Sequence, residues 1–145
     1  MRIFLAIGIP IALLLSFLIF FNRVETVPIE ISNKVIVAEI ADTQAKRAKG
    51  LMFREHMEYD RGMWFVMDKE GYHSFWMKNT LIPLDIIWVD SDMNIVHIEK
   101  NVPPCQENTA CVSYKTKAKA KYVLEVNAGW VDDNGVDLGD SVKTL

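Results

Sequence analysis

The segment at residues 74–85, Ser-Phe-Trp-Met-Lys-Asn-Thr-Leu-Ile-Pro-Leu-Asp, constrains the fold more than any other part of the chain. Proline has no backbone N–H to give to a strand ladder, so Pro83 separates an aromatic strand from the apolar strand that follows. Successive strand residues point to opposite faces. We therefore expect Phe75 and Met77 to face the core, and Trp76 and Lys78 to face away from it.

Short apolar and β-branched runs make up most of the remaining chain. They predict strands at residues 33–41, 63–67, 73–78, 85–89, 95–100, 122–126 and 141–144. One short helix is predicted over residues 43–49, capped by Asp42 and ended by Gly50. Many short strands with little helix predict a mainly β fold with minor α (α+β), as a compact barrel-like or sandwich domain.

The N-terminal run at residues 3–21 carries no charge. As a helix it would extend roughly 28 Å, close to the thickness of a bilayer core. The run is longer than the core of a cleavable signal, and no small-residue cleavage site follows it. We predict an uncleaved transmembrane signal anchor at residues 1–23, a tether at 24–32 and a folded domain at 33–145. A cleaved signal is the alternative.

The folded domain is expected outside the cytoplasm, in the periplasm or at the cell surface, because the tail before the anchor is short and signal-like. Cys105 and Cys111 are the only cysteines, and in an oxidising compartment we expect them to close their loop as a disulfide. Two unpaired thiols are the alternative. A metal site is less favoured because no Cys-x-x-Cys or paired histidine spacing accompanies them.

Overall charge limits the class of partner. The chain carries 16 Lys and Arg against 19 Asp and Glu, which gives a net charge of −3. A nucleic-acid-binding surface would need a basic stripe, so no nucleic-acid partner is predicted. The three histidines, His56, His73 and His97, are scattered, so we predict no metal site and no cofactor.

Several motifs recur together in one known family. They are Gly-Leu-Met-Phe-Arg at 50–54, Gly-Met at 62–63, Phe-Trp-Met-Lys-Asn-Thr at 75–80 with Pro-Leu-Asp at 83–85, Tyr-Val-Leu-Glu at 122–125 followed by Gly129, and Gly-Asp at 139–140. The chain in this respect resembles the DUF192 (UPF0127) family over residues 34–142. The resemblance implies a mostly β domain, commonly exported or membrane-anchored, and no catalytic residue. Lys49 departs from the family pattern, which usually has arginine there.

Two groups of polar residues could form a site. Trp76, Lys78 and Asn79 could form a stacking platform for a sugar ring or a small anion, or they could be an edge and a turn cap without a ligand. Asp85 and Glu125 interrupt apolar strands, so each needs a partner, for which Arg54 and Lys78 are the candidate cations. The alternative is an acid–base pair of carboxyls.

The leading hypothesis is a membrane-anchored, extracytoplasmic module that binds a small ligand or a glycan of the cell envelope. Its candidate binding residues are Arg54, Trp76, Lys78, Asn79, Asp85 and Glu125. One alternative is an enzyme that acts on envelope carbohydrate through Asp85 and Glu125, and another is a purely structural or assembly domain. No catalytic residue is assigned, whether the protein is an enzyme stays open, and the oligomeric state is not predicted.

Overall fold

A computed structural model describes residues 24–105 and 110–145. Within these ranges the elements, in chain order, are β1 (Thr26–Ile31), β2 (Lys34–Ala41), α1 (Gln44–Lys49), β3 (Arg61–Gly71), β4 (Ser74–Trp76), β5 (Leu84–Val89), β6 (Ile95–Val102), β7 (Ser113–Lys115), β8 (Ala120–Asn127), α2 (Trp130–Asp133) and β9 (Val142–Thr144). The coarse prediction of a mainly β fold with minor α is confirmed.

Seven of the strands form one sheet in the order β6-β5-β8-β3-β2-β1-β9, while β4 and β7 pair separately. Neighbours in the large sheet are antiparallel, except that β2 and β3 are parallel. Parallel neighbours need a crossover connection, and here α1 and the chain up to β3 supply it. This crossover passes over one face of the sheet, and the candidate site lies beneath it.

The two edges of the sheet come together at one end. Asn94, just before β6, forms an isolated bridge with Ser141, just before β9. The Ile95 N–H donates to the Asp140 carbonyl at 2.9 Å, and the Val142 N–H donates to the Met93 carbonyl at 2.8 Å. The sheet is therefore curled into a half-barrel, which supports the barrel-like form of the prediction.

Each face of the sheet carries its own hydrophobic cluster. The first contains Trp64, Ile87 and Leu124 together with residues of β1, β2 and α2. The second contains Phe65 from β3 and other residues of β3, β5 and β8, and it is covered by the crossover and by β4. Strand pleating explains the division, because adjacent residues such as Trp64 and Phe65 point to opposite faces. All six residues of β5 are buried, as expected for a strand covered on both sides.

The segment at residues 24–32 is not a tether, so that prediction is wrong. Thr26–Ile31 forms β1, which pairs along its whole length with β2 through a turn at Ser32 and Asn33. Ile29 and Ile31 are buried in the first cluster. Pro28 is compatible with this strand, because its carbonyl accepts from the Leu145 N–H at 3.0 Å while β9 itself pairs with β1 from Ile29 onward. The missing N–H of Pro28 therefore interrupts no pairing with β9.

Two further predictions concern the cysteine pair and the N-terminal run. Cys105 and Cys111 are joined by a disulfide, with an S–S distance of 2.08 Å. None of the helices in the described part of the chain is long and apolar enough to cross a bilayer. The predicted signal anchor at residues 1–23 lies outside the described residues.

Asp85 joins three elements from a fully buried position on β5. Its carboxylate accepts hydrogen bonds from the backbone N–H of Asn101 at 2.8 Å and from that of Val131 at 2.9 Å. Asn101 lies where the β5–β6 register shifts, and Val131 lies in the first turn of α2. The N-cap of α2 is Gly129, which has no side chain to cap the helix. Asp85 thus supplies an acceptor that neither backbone segment provides for itself.

We expect Asp85→Ala to lower the free energy of unfolding by about 2–4 kcal/mol, since it leaves one buried and one part-buried N–H group without an acceptor. Asp85→Asn should cost less, because the amide oxygen can still accept from one of them. Urea denaturation of both variants measures the difference, with exposed Asp92→Ala as the control. A loss for Asp85→Ala no greater than that of the control would contradict the assignment.

Candidate functional site

The segment at residues 50–54 holds the candidate site against the turn that follows β4. It leaves α1 at Gly50, and the Phe53 backbone adopts the left-handed region at φ 62°. The Phe53 N–H donates to the carbonyl of Asn79 at 2.7 Å, and Asn79 is itself left-handed at φ 55°. Few non-glycine residues adopt this conformation. The two most distinctive sequence motifs are therefore joined directly through their backbones.

Two hollows lie beside this segment. The larger, of about 480 Å³, is lined by Val24, Glu25, Glu39, Ile40, Lys46, Lys49, Gly50, Met52, Phe53, Arg54 and Met63. The smaller, of about 40 Å³, is lined by Arg47, Ala48, Lys49, Gly50, Leu51, Met52, Phe65, Phe75, Trp76, Lys78, Thr80 and Glu125. Lys49, Gly50 and Met52 line both, so the two hollows share a wall.

Glu125 lies in the smaller cavity with only 5% of its surface exposed. Its cross-strand neighbours are Met63 on β3 and Ile86 on β5, which offer no polar group. No hydrogen bond or ion pair reaches its carboxyl from any residue in 24–105 or 110–145. Burial alone raises the pKa of Glu125 from 4.5 to about 8, because a low-dielectric surrounding disfavours the charged form. At neutral pH Glu125 is therefore mainly a neutral carboxylic acid.

Trp76 and Lys78 flank the same cavity. Phe75 and Met77 pack into the second cluster, as the alternation of the strand predicted, and Trp76 is 53% exposed. The Lys78 ammonium lies 5.3 Å from the centre of the Trp76 ring, within the range of a cation–π contact. Neither Lys78 nor Lys49 forms an ion pair with a carboxylate of the described chain. The cavity mouth is thus aromatic and positively charged.

Arg54 lines the larger hollow, where its guanidinium binds both carboxylate oxygens of Glu39 at 2.7 and 3.0 Å. The sequence suggested Arg54 or Lys78 as the partner of Asp85 or Glu125, and that suggestion is wrong. Backbone N–H groups satisfy Asp85, and no partner in the described chain satisfies Glu125. Asn79 contributes its backbone, while its side-chain Oδ1 is buried without a hydrogen-bond partner among the described residues.

Asp85 and Glu125 lie on opposite faces of the sheet. In the β5–β8 register Asp85 is opposite Val126, which belongs to the first cluster, whereas Ile86 is opposite Glu125 and belongs to the second. Opposed residues share a face, so the two carboxyls are separated by the thickness of the sheet. They cannot act on one substrate together, and the hypothesis of an enzyme using this pair loses its geometric basis.

The structure thus brings together three of the six predicted residues, namely Trp76, Lys78 and Glu125. Sequence reasoning missed Lys49 and Phe53. Phe53 is 63% exposed beside the larger hollow although it sits among apolar residues that predict a core position. A signal for Lys49 was its place immediately before the family motif at residues 50–54. Among the described residues no cluster of three or more His, Cys, Asp or Glu could hold a metal ion.

Two curated relatives share the sequence pattern. One is a UPF0127 protein of Thermococcus sibiricus, 29% identical over an alignment of 109 residues that covers 72% of this chain and 63% of that protein. The chain therefore spans less than two thirds of that relative. Another is a UPF0127 protein of Pyrococcus horikoshii, also 29% identical over 72% of this chain and 84% of its own length.

Two crystal structures share the fold. A protein of unknown function from Novosphingobium aromaticivorans is 35% identical, with a TM-score of 0.77 over 84% of this chain and 87% of its own. A protein of Sinorhizobium meliloti, described as a candidate transcription regulator, is 32% identical, with a TM-score of 0.75 over 84% of this chain and 95% of its own.

The comparison with protein families agrees with the curated relatives and with the crystal structures. A family model named DUF192, described as "Uncharacterized ACR", matches residues 27–144. That range includes every strand but the first residue of β1, and it includes both motifs that meet at the Phe53–Asn79 hydrogen bond. The chain belongs to the DUF192 (UPF0127) family.

Proposed function

We propose that the protein is a binding module for a small ligand or a glycan unit, and that the ligand occupies the Trp76 side of the smaller cavity. One observation carries the proposal: an exposed tryptophan with a lysine beside it borders a cavity that contains an unpartnered, buried carboxylic acid. Leaving a buried polar group without a partner costs free energy. A ligand that satisfies Glu125 would recover that cost, which favours a binding role over a purely structural one.

The shape of the surface supports a ligand larger than one functional group. An indole has a broad apolar face on which a sugar ring can lie. The adjoining hollow of about 480 Å³ falls in the range usual for small-molecule sites, and it places exposed Phe53 near the Arg54–Glu39 pair. A ligand could therefore place one group in the smaller cavity and its ring against Trp76.

We also propose that residues 3–21 anchor the domain at the outer side of a membrane. The uncharged run supports this, as does the disulfide between Cys105 and Cys111, since disulfides persist in oxidising compartments. A periplasmic or surface position would place the site beside envelope glycans. The regulator role described for the Sinorhizobium protein is not extended to this chain. This chain has a net charge of −3, whereas a nucleic-acid-binding surface needs a basic stripe.

The anchor is tested by expressing the full chain and adding protease to intact spheroplasts. The domain should be digested from outside and should fractionate with the membrane. A domain that resists protease until the membrane is lysed would contradict the outward orientation, and a protein released into the soluble fraction would contradict the anchor.

Binding is tested by titrating soluble fragments of envelope glycans into the full chain and following the indole N–H signals by NMR. Trp76→Ala should weaken binding at least tenfold, because it removes the stacking face. Tyr72→Ala is the matched control, since Tyr72 is an exposed aromatic on a neighbouring loop outside both hollows. If the wild-type protein binds and Trp76→Ala binds equally well, the site is elsewhere.

A further inference from the structure

We propose that the smaller cavity recognises a carboxylate carried by the ligand, with Glu125 as a neutral hydrogen-bond donor and Lys49 and Lys78 as the neutralising cations. The inference deepens the proposed function and rests on it: the ligand is an acidic sugar rather than a neutral one.

The hydrogen-bonding capacity of Glu125 is the first argument. A protonated carboxyl has one O–H donor, and a carboxylate has only acceptors. The two therefore form a charge-assisted hydrogen bond, which is shorter and stronger than a bond between neutral groups. Because nothing in the described chain accepts the Glu125 proton, that donor is available to a bound group. Thr80, a buried residue of the same cavity, is a second hydroxyl within the lining.

The charges around Glu125 are the second argument. Every other charged residue of the cavity lining is positive: Arg47 and Lys49 from α1, and Lys78 after β4. Arg47 is already bound to the carbonyls of Asp42 and Val66 and to Asp68. The two lysines have no carboxylate partner in the described chain. β3 contributes only apolar Phe65 to the lining. A cationic ligand would meet these like charges, whereas an anion would be attracted by them.

The size of the cavity is the third argument. About 40 Å³ accommodates a few water molecules or one terminal group, but not a sugar ring. The ring must therefore remain at the mouth, where Trp76 is exposed. Lys49, Lys78 and Glu125 all line this cavity. A carboxylate bound in the cavity would therefore have the Glu125 carboxyl and the two lysines among its surroundings.

The binding of an acidic ligand should depend on pH in one direction. Burial raises the pKa of Glu125 to about 8. Below that pH the protonated side chain donates to the ligand carboxylate, and above it two negative charges repel each other. One unit above the pKa only about a tenth of the sites remain protonated, so affinity for an acidic sugar should fall about tenfold between pH 6 and pH 9.

The experiment measures the affinity of the full chain for three probes by NMR titration at pH 6 and pH 9. Glucuronate carries ring and carboxylate, glucose carries the ring alone, and acetate carries the carboxylate alone. At pH 6 glucuronate should bind more tightly than glucose or acetate. Its affinity should fall about tenfold at pH 9, whereas the affinity for glucose should not change. Lys78→Ala and Lys49→Ala should weaken glucuronate binding selectively, and Lys34→Ala, at an exposed position outside both hollows, is the control.

Glu125→Gln separates this inference from a general charge effect. The glutamine amide is a neutral donor at every pH. The variant should therefore bind glucuronate without the tenfold fall in affinity between pH 6 and pH 9. The wild-type pH profile stands as the test should that variant fail to fold. Equal affinity for glucuronate and glucose, both abolished by Trp76→Ala, would overturn the carboxylate inference and leave the proposed function intact. Absence of binding to all three probes, or binding unaffected by Trp76→Ala, would overturn both.

Discussion

The pleat of β5 and β8 places two buried carboxyls of the domain in opposite surroundings. It sends Asp85 to one face of the sheet and Glu125 to the other, although the two residues lie one register position apart. On the first face two backbone N–H groups satisfy the Asp85 carboxylate, which fixes the irregular end of β6 and the start of α2. On the second face Glu125 has no partner within the described chain. One carboxyl is used to build the fold, and the other is kept neutral beside a cavity.

A buried acid without a partner is costly, and the surrounding architecture explains how it is tolerated. Keeping the proton avoids the much larger penalty of a buried charge. The crossover between the parallel strands β2 and β3 covers this face and carries Lys49 and the segment at residues 50–54 over it. The hydrogen bond from Phe53 to Asn79 then holds the crossover against the turn after β4. Both motifs of the family thereby help to shape the same cavity.

Sequence reasoning reached most of the strands and the alternation of residues 74–78, because apolar periodicity and side-chain direction are local properties. It failed at 24–32, which was interpreted as a tether after the predicted anchor although Val27, Ile29 and Ile31 alternate as in a strand. It also failed to identify the hydrogen-bond and ion-pair partners of Arg54 and Asp85. Arg54 binds Glu39 on a strand whose proximity depends on the crossover, and Asp85 is satisfied by backbone groups. Both outcomes depend on long-range topology. Backbone N–H donors also cannot be identified from residue type, because every residue except proline has one.

Glu125 is thus a buried and neutral acid at physiological pH, available to a ligand. The most direct test follows the side-chain carboxyl carbon of Glu125 by ¹³C NMR while the full chain is titrated, with Glu125→Gln used to assign the signal. We expect a midpoint near pH 8, because burial raises the pKa of Glu125 to about that value. A midpoint near the ordinary value of 4.5 would show that the Glu125 carboxyl is solvated or paired, and that it is not a neutral donor at physiological pH.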